Sequence, residues 1–150
     1  MSVSALLFVI FLFGGAYSTV VSQCPTGPLP DDVQVENCDA EPCVFYINSN
    51  TSMIMKFKSP RKLEHFAPNA VASLMGINVT YPLDQDDACV GITNTKCPIE
   101  EGEQVEYTYG MYILPVFPEV SLNLEFSLRD KDSNDEIIEC FKLDIELKKA

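Results

Sequence analysis

Beyond Cys24 the chain alternates apolar and polar residues far more often than it spaces apolar residues at helical intervals. The clearest run sets Val120, Leu122, Leu124, Phe126 and Leu128 against Ser121, Asn123, Glu125, Ser127 and Arg129. Side chains on a strand point alternately to its two faces, so this run predicts a half-buried strand. Phe141, Leu143, Ile145 and Leu147 alternate in the same way with Lys142, Asp144 and Glu146, and the polar stretch from Asp130 to Asp135 lies between the two runs. The pair predicts a hairpin. Shorter alternations predict strands at Val33–Val35, Met53–Phe57, Ile77–Tyr81 and Val105–Ile113, and an apolar run predicts one at Val44–Ile47. The total is about seven strands. No stretch longer than a turn or two carries an amphipathic helical stripe, and the prolines and turn-rich stretches mark short connections. The fold class is all-β, with a two-sheet sandwich as the expected architecture.

The first residues follow another rule. An apolar core of about nine residues, Ala5 to Phe13, precedes Gly14, Gly15 and small residues, with no charged side chain before Cys24. This is the pattern of a secretory signal. It is too short for a membrane span, which needs about 20 apolar residues in a row. Small residues allow cleavage after Ser18 or after Ser22, and the expected division is a signal peptide over 1–22 and one domain over 23–150. Secretion changes how the cysteines read. Cys24, Cys38, Cys43, Cys89, Cys97 and Cys140 are even in number and all lie past the signal, so three disulfides are expected, with fifteen pairings arithmetically open. The short Cys38–Cys43 and Cys89–Cys97 spacings suit local staples, which leaves Cys24 and Cys140 for each other. Cys140 shares the parity of Lys142 and Asp144, which puts it on the outer side of its strand. Two glycosylation sequons, at Asn50 and Asn78, agree with the secretory route. Asn78 and Thr80 would point away from the face shared by Ile77, Val79 and Tyr81.

Composition removes several functions. The net charge of -12 repels phosphate backbones, so nucleic acid is not an expected partner. An apolar content of 47% is too high for a disordered chain. His65 is the single histidine, and with every cysteine expected in a disulfide neither a Ser-His-Asp nor a Cys-His arrangement has support. No metal and no cofactor are expected, because the cysteine spacing and the lack of histidine fit no zinc site, and the stretch Asp130–Asn134 departs from a calcium loop at its sixth and twelfth positions. The protein is not expected to be an enzyme. A cationic cluster, Lys56, Lys58, Arg61 and Lys62, could hold a ligand carboxylate or touch a membrane, but protection of an edge strand is the favoured reading.

The ordered cysteines, together with the segments Leu74–Pro82, Cys97-Pro98-Ile99 and Phe117-Pro118, resemble the Niemann-Pick type C-two family of the ML (lipid-recognition) superfamily, over nearly the whole chain past Cys24. The resemblance implies an immunoglobulin-like β-sandwich of seven strands whose sheets splay to hold an apolar ligand, and it implies the disulfides Cys24–Cys140, Cys38–Cys43 and Cys89–Cys97. It carries over a ligand-lining role to Tyr81, Ile113 and Phe117. Strand parity adds Ile77 and Val79 beside Tyr81, and Val105, Tyr107, Tyr109 and Met111 beside Ile113. Met53, Met55, Met75 and Met111 would give an adaptable lining where they face inward. Phe126 and Phe141 stand where relatives commonly have tryptophan. The acidity sits badly with docking on anionic membranes, so the chain resembles the arthropod secreted branch more than the lysosomal sterol shuttle. The expected function is a monomeric secreted carrier of a fatty acid or similar elongated apolar molecule, with membrane or receptor contact for delivery. The alternatives are lysosomal sterol transfer and an immune lipid-recognition subunit.

Overall fold

The structure is a computed structural model that describes residues 18–150; the expected signal segment up to residue 17 lies outside the described residues. Among the described residues nine strands are present: β1 (Ser22–Gln23), β2 (Asp32–Val35), β3 (Cys43–Tyr46), β4 (Ser49–Lys58), β5 (Phe66–Leu74), β6 (Ile77–Tyr81), β7 (Gln104–Ile113), β8 (Val120–Asp130) and β9 (Glu136–Lys148), with one short 3-10 turn at Ala88–Gly91. One sheet runs β1-β9-β8-β5-β6, and β3 joins it parallel to β9; the other runs β2-β4-β7. The alternating residues of β4, β7, β8 and β9 face one another across the gap, which makes the two sheets a sandwich around a single core.

The seven expected strands are all found, and β1 and β5 are added. Strand β5 escapes periodicity because it is rich in alanine and contains Pro68, yet it lies between β8 and β6 inside the larger sheet. Its small side chains suit that place: Ala70 is buried opposite Phe126 of β8 and Tyr81 of β6, so large neighbours fill what alanine leaves. Pro68 is tolerated because pairing with β6 ends at Ala70–Tyr81, so the ladder on that side needs no N–H from residue 68. The β8–β9 hairpin forms as read, and its turn places Asn134 and Asp135 at positive φ, a conformation that short polar side chains adopt readily.

All three disulfides have the pairing expected from the cysteine spacing. Cys24–Cys140 lies outside the core cluster, as its outward parity requires, but it is buried. The segment after Cys24 covers it: Cys140 donates its N–H to the Pro28 carbonyl at 2.9 Å, and a Cβ at Gly27 would come within 2.5 Å of the Ile137 side chain. The residues before Cys24 also belong to the fold. Thr19 is buried, accepts from the Val35 N–H at 2.9 Å, donates to the Cys38 carbonyl at 2.5 Å and gives its own N–H to Val33 at 2.7 Å. A cleavage after Ser22 falls inside this bonded segment.

The cationic cluster does not guard an edge, because β4 lies between β2 and β7. Arg61 instead sits 3.0 Å from Glu136 and 3.5 Å from Asp130, and Lys62 is 3.3 Å from Glu64. Arg61 and Lys62, on the turn after β4, are thus held in ion pairs.

Candidate functional site

Between the sheets, at the end where β6 and the β7–β8 loop approach each other, lies a cavity of about 270 Å³. One wall comes from the larger sheet, with Ala72 and Leu74 of β5, Val79, Thr80 and Tyr81 of β6, Val120, Leu122 and Leu124 of β8, and Ile145 and Leu147 of β9. Met111 and Ile113 of β7 form the facing wall, Phe45 closes one side, and Pro82, Phe117 and Pro118 stand at the opening. No lining residue carries a charge. At the opening the rings of Tyr81 and Phe117 lie 5.7 Å apart, and the Tyr81 hydroxyl donates to the Tyr112 carbonyl at 3.2 Å, which ties β6 to β7 across the gap. Burial raises the Tyr81 phenol above its ordinary pKa, and the Asp84 carboxylate adds to the effect. The hydroxyl therefore stays protonated and can keep donating.

The lining follows from sequence pattern and local size. Inward positions on β8 and β9 are aliphatic at this end of the sandwich and aromatic further along, at Phe126 and Phe141. Those two rings, 5.8 Å apart, pack with Tyr109 and leave only a small void of about 30 Å³ beyond the cavity. Phe45, Met111 and Leu124 border both spaces and so form the partition between them.

Tyr81, Ile113 and Phe117 all line the cavity, and so do Val79 and Met111. Ile77 is 66% exposed and lies outside the lining. Val105, Tyr107 and Tyr109 share the inward face of β7 but pack in the filled part of the core. The Tyr107 hydroxyl bonds to Gln85, and that of Tyr109 donates to Asp84 at 2.9 Å. Burial raises both phenols well above their usual range. Of the other methionines, Met53 and Met55 are buried in the core and Met75 is exposed at the β5–β6 turn. His65 is exposed, 3.0 Å from Asp132, whose hydrogen bond raises its pKa.

The residues absent from the sequence reading are mainly those of β3, β5, β8 and β9. The inward alternation at Val120, Leu122 and Leu124, and at Ile145 and Leu147, was a usable signal. A second signal was the absence of charge: residues 66–83 and 107–118 contain no Asp, Glu, Lys or Arg in a chain that has 32 such residues. Those two segments supply both sides of the opening.

A family model described as an ML domain matches residues 18–147 of this sandwich. The chain belongs to the ML domain family. Within it, the NPC intracellular cholesterol transporter 2 homolog a of Drosophila melanogaster is 30% identical over 105 residues, 69% of this chain and 70% of that protein. The ecdysteroid-regulated 16 kDa protein of Manduca sexta is 28% identical over 99 residues, 65% of this chain and 66% of its relative. The crystal structure of a Niemann-Pick type C2 protein from the Japanese carpenter ant superposes with a TM-score of 0.75 at 23% identity, covering 86% of this chain and 100% of the ant chain. That likeness concerns the fold. The family model and the Drosophila relative place this ML domain in the Niemann-Pick type C2 group, on its arthropod side. It is a lipid-binding domain by family, and its three disulfides suit an extracellular or lumenal compartment. Among the described residues no helix is long and apolar enough to cross a membrane.

Proposed function

We propose that this ML domain is a secreted, non-catalytic carrier that holds an elongated apolar molecule between its sheets, of fatty-acid type but with a head group that is uncharged or left in water. The observation that carries the reading is the uncharged cavity opening at Tyr81 and Phe117. A cavity without polar partners for water stays dry and favours hydrocarbon. Burying an alkyl chain there gains roughly 0.8 kcal/mol per methylene. Lost freedom on association offsets 4 kcal/mol or more of that, which favours reversible carriage over storage.

The head-group preference follows from charge. Neither the lining nor the two charge-free segments offers a cation to a carboxylate, and the cationic cluster follows β4 toward the other end of the sandwich. The Asp84 carboxylate near Tyr81 and the overall acidity both oppose an anion at the opening. Sterol transfer is the second reading, favoured by the name of the Drosophila relative.

The test is displacement of an apolar fluorescent probe by a long-chain alcohol and by the carboxylic acid of equal length, each followed from pH 4 to pH 8. Both should compete at pH 4, and the acid alone should weaken as it ionises above about pH 4.5. A protein that takes up neither, by displacement or by native mass spectrometry, overturns the carrier reading; equal competition at pH 8 overturns the head-group preference.

A further inference from the structure

Strand β6 forms the free edge of the larger sheet. Its turn with β5 has two residues, Met75 and Gly76, at φ 51° and 77°. Such a turn makes the flanking residues, Leu74 and Ile77, a hydrogen-bonded pair. Antiparallel ladders alternate hydrogen-bonded and open pairs. Ile77, Val79 and Tyr81 therefore direct their backbone groups to β5, whereas Asn78 and Thr80 direct theirs to the open edge. Among the described residues no loop or strand supplies a backbone bond to that side of β6.

An uncovered edge is a template for another strand, and proteins usually block it with lysine, proline, a bulge or a cover. Strand β6 has none of these. Residues 66–83 carry no charge, no proline interrupts Ile77–Tyr81, and Ile77 and Val79 are 66% and 58% exposed. A second copy could pair there without meeting a like charge at short range.

The two open positions are the two sequon residues. Asn78 is exposed, and the Ser73 hydroxyl donates to its Oδ1 at 2.6 Å, which leaves the Nδ2 amide, the atom that accepts a glycan, free of that contact. We propose that Asn78 carries an N-glycan that caps the open edge of β6 and prevents β6-to-β6 pairing with a second copy of this chain. A sugar attached at residue 78 stands beside the N–H and C=O that an incoming strand would need. The proposal rests on the secretory route proposed above.

The test compares the full-length chain secreted from eukaryotic cells with its N78Q and N78K variants and with the wild-type domain made in bacteria and refolded oxidatively. Glycopeptide mass spectrometry reads position 78, light scattering after gel filtration reads mass, and probe uptake is measured on each monomer fraction. The expected result is a glycosylated, monomeric secreted wild type. N78Q and the bacterial domain should show a concentration-dependent twofold mass, and N78K should be monomeric because a charge replaces the glycan as guard. An unmodified Asn78 in the secreted wild type overturns the site. N78Q and bacterial wild type that both remain monomeric overturn the capping role, as does a dimer that persists in N78K. The bacterial domain keeps the question answerable where N78Q is not secreted. Probe uptake by every monomer fraction separates failure of this proposal from failure of the carrier reading.

Discussion

The two ends of the sandwich are built from the same strands and end in opposite states. Along β7, Val105, Tyr107 and Tyr109 meet Phe57, Phe126 and their neighbours in a filled core, while Met111 and Ile113, on the same face, look into the cavity. The filled end is closed from below. The 3-10 turn packs against β5 and β7, Ala88 and Ile99 are fully buried, and Leu63 bridges to Ile99. Gly91 lets the turn approach so closely that a Cβ there would lie 2.6 Å from the Thr108 carbonyl oxygen. The other end is spanned by the Tyr81–Tyr112 hydrogen bond and the Tyr81–Phe117 ring contact. Whether inward residues make core or cavity thus depends on what seals the gap between the sheets.

The contrast can be broken most forcefully at the filled end. Phe126→Ala should destabilise the domain by about 3–5 kcal/mol in denaturant melts, the usual cost of deleting a buried ring, with little change in probe affinity of the protein still folded. Comparable loss of affinity would mean that the two ends act as one site. Next comes Glu139, which keeps the inward parity of Phe141, pairs with Leu128 and is buried with no hydrogen-bond partner for Oε2. Burial first, and then the nearby Asp31 carboxylate, push its pKa up to about 8 from 4.5. The folded state therefore holds a proton that the unfolded state releases. Stability from this group is full below about pH 4.5 and is lost as pH rises through about 8, a difference on the order of a few kcal/mol. Glu139→Gln should flatten that slope in melts between pH 5 and pH 8.5; an unchanged slope would show that Glu139 does not titrate in this window.

Smaller effects on folding belong to the open end. Phe117→Ala should cost under about 1 kcal/mol of stability but weaken probe binding roughly tenfold, since about 1.4 kcal/mol of lost contact is one decade. An effect on stability equal to that on binding would make the opening part of the core. Ile77→Ser should be nearly silent in both assays, within about 0.5 kcal/mol for an exposed position. A tenfold loss of affinity there would extend the site onto the exposed half of β6.

Much of this was legible in the residues. The β8–β9 hairpin could be read because each strand shows its full alternation, and the disulfides because two short spacings left one long pair. Tyr81, Ile113 and Phe117 were reached through family segments, and the structure puts them on one cavity. Strand β5 was hidden because its inward positions are alanines whose place is set by large neighbours on other strands. Glu139 gave no sign of its burial, because a glutamate near a strand end reads as solvated until the facing sheet is known.

By itself, then, the order of residues determined the strand faces, the pairing of the cysteines, the family and the absence of charge along the two segments that frame the opening. Local periodicity carries the strand faces, since a strand assigns each side chain to a face whatever lies opposite, and cysteine spacing and family segments carry the rest. Only the tertiary structure decided where the space between the faces is filled. That depends on the distance between two sheets and on which loop closes each end, so Tyr109 and Met111, two residues apart on one face of β7, finish in packed core and at a cavity wall.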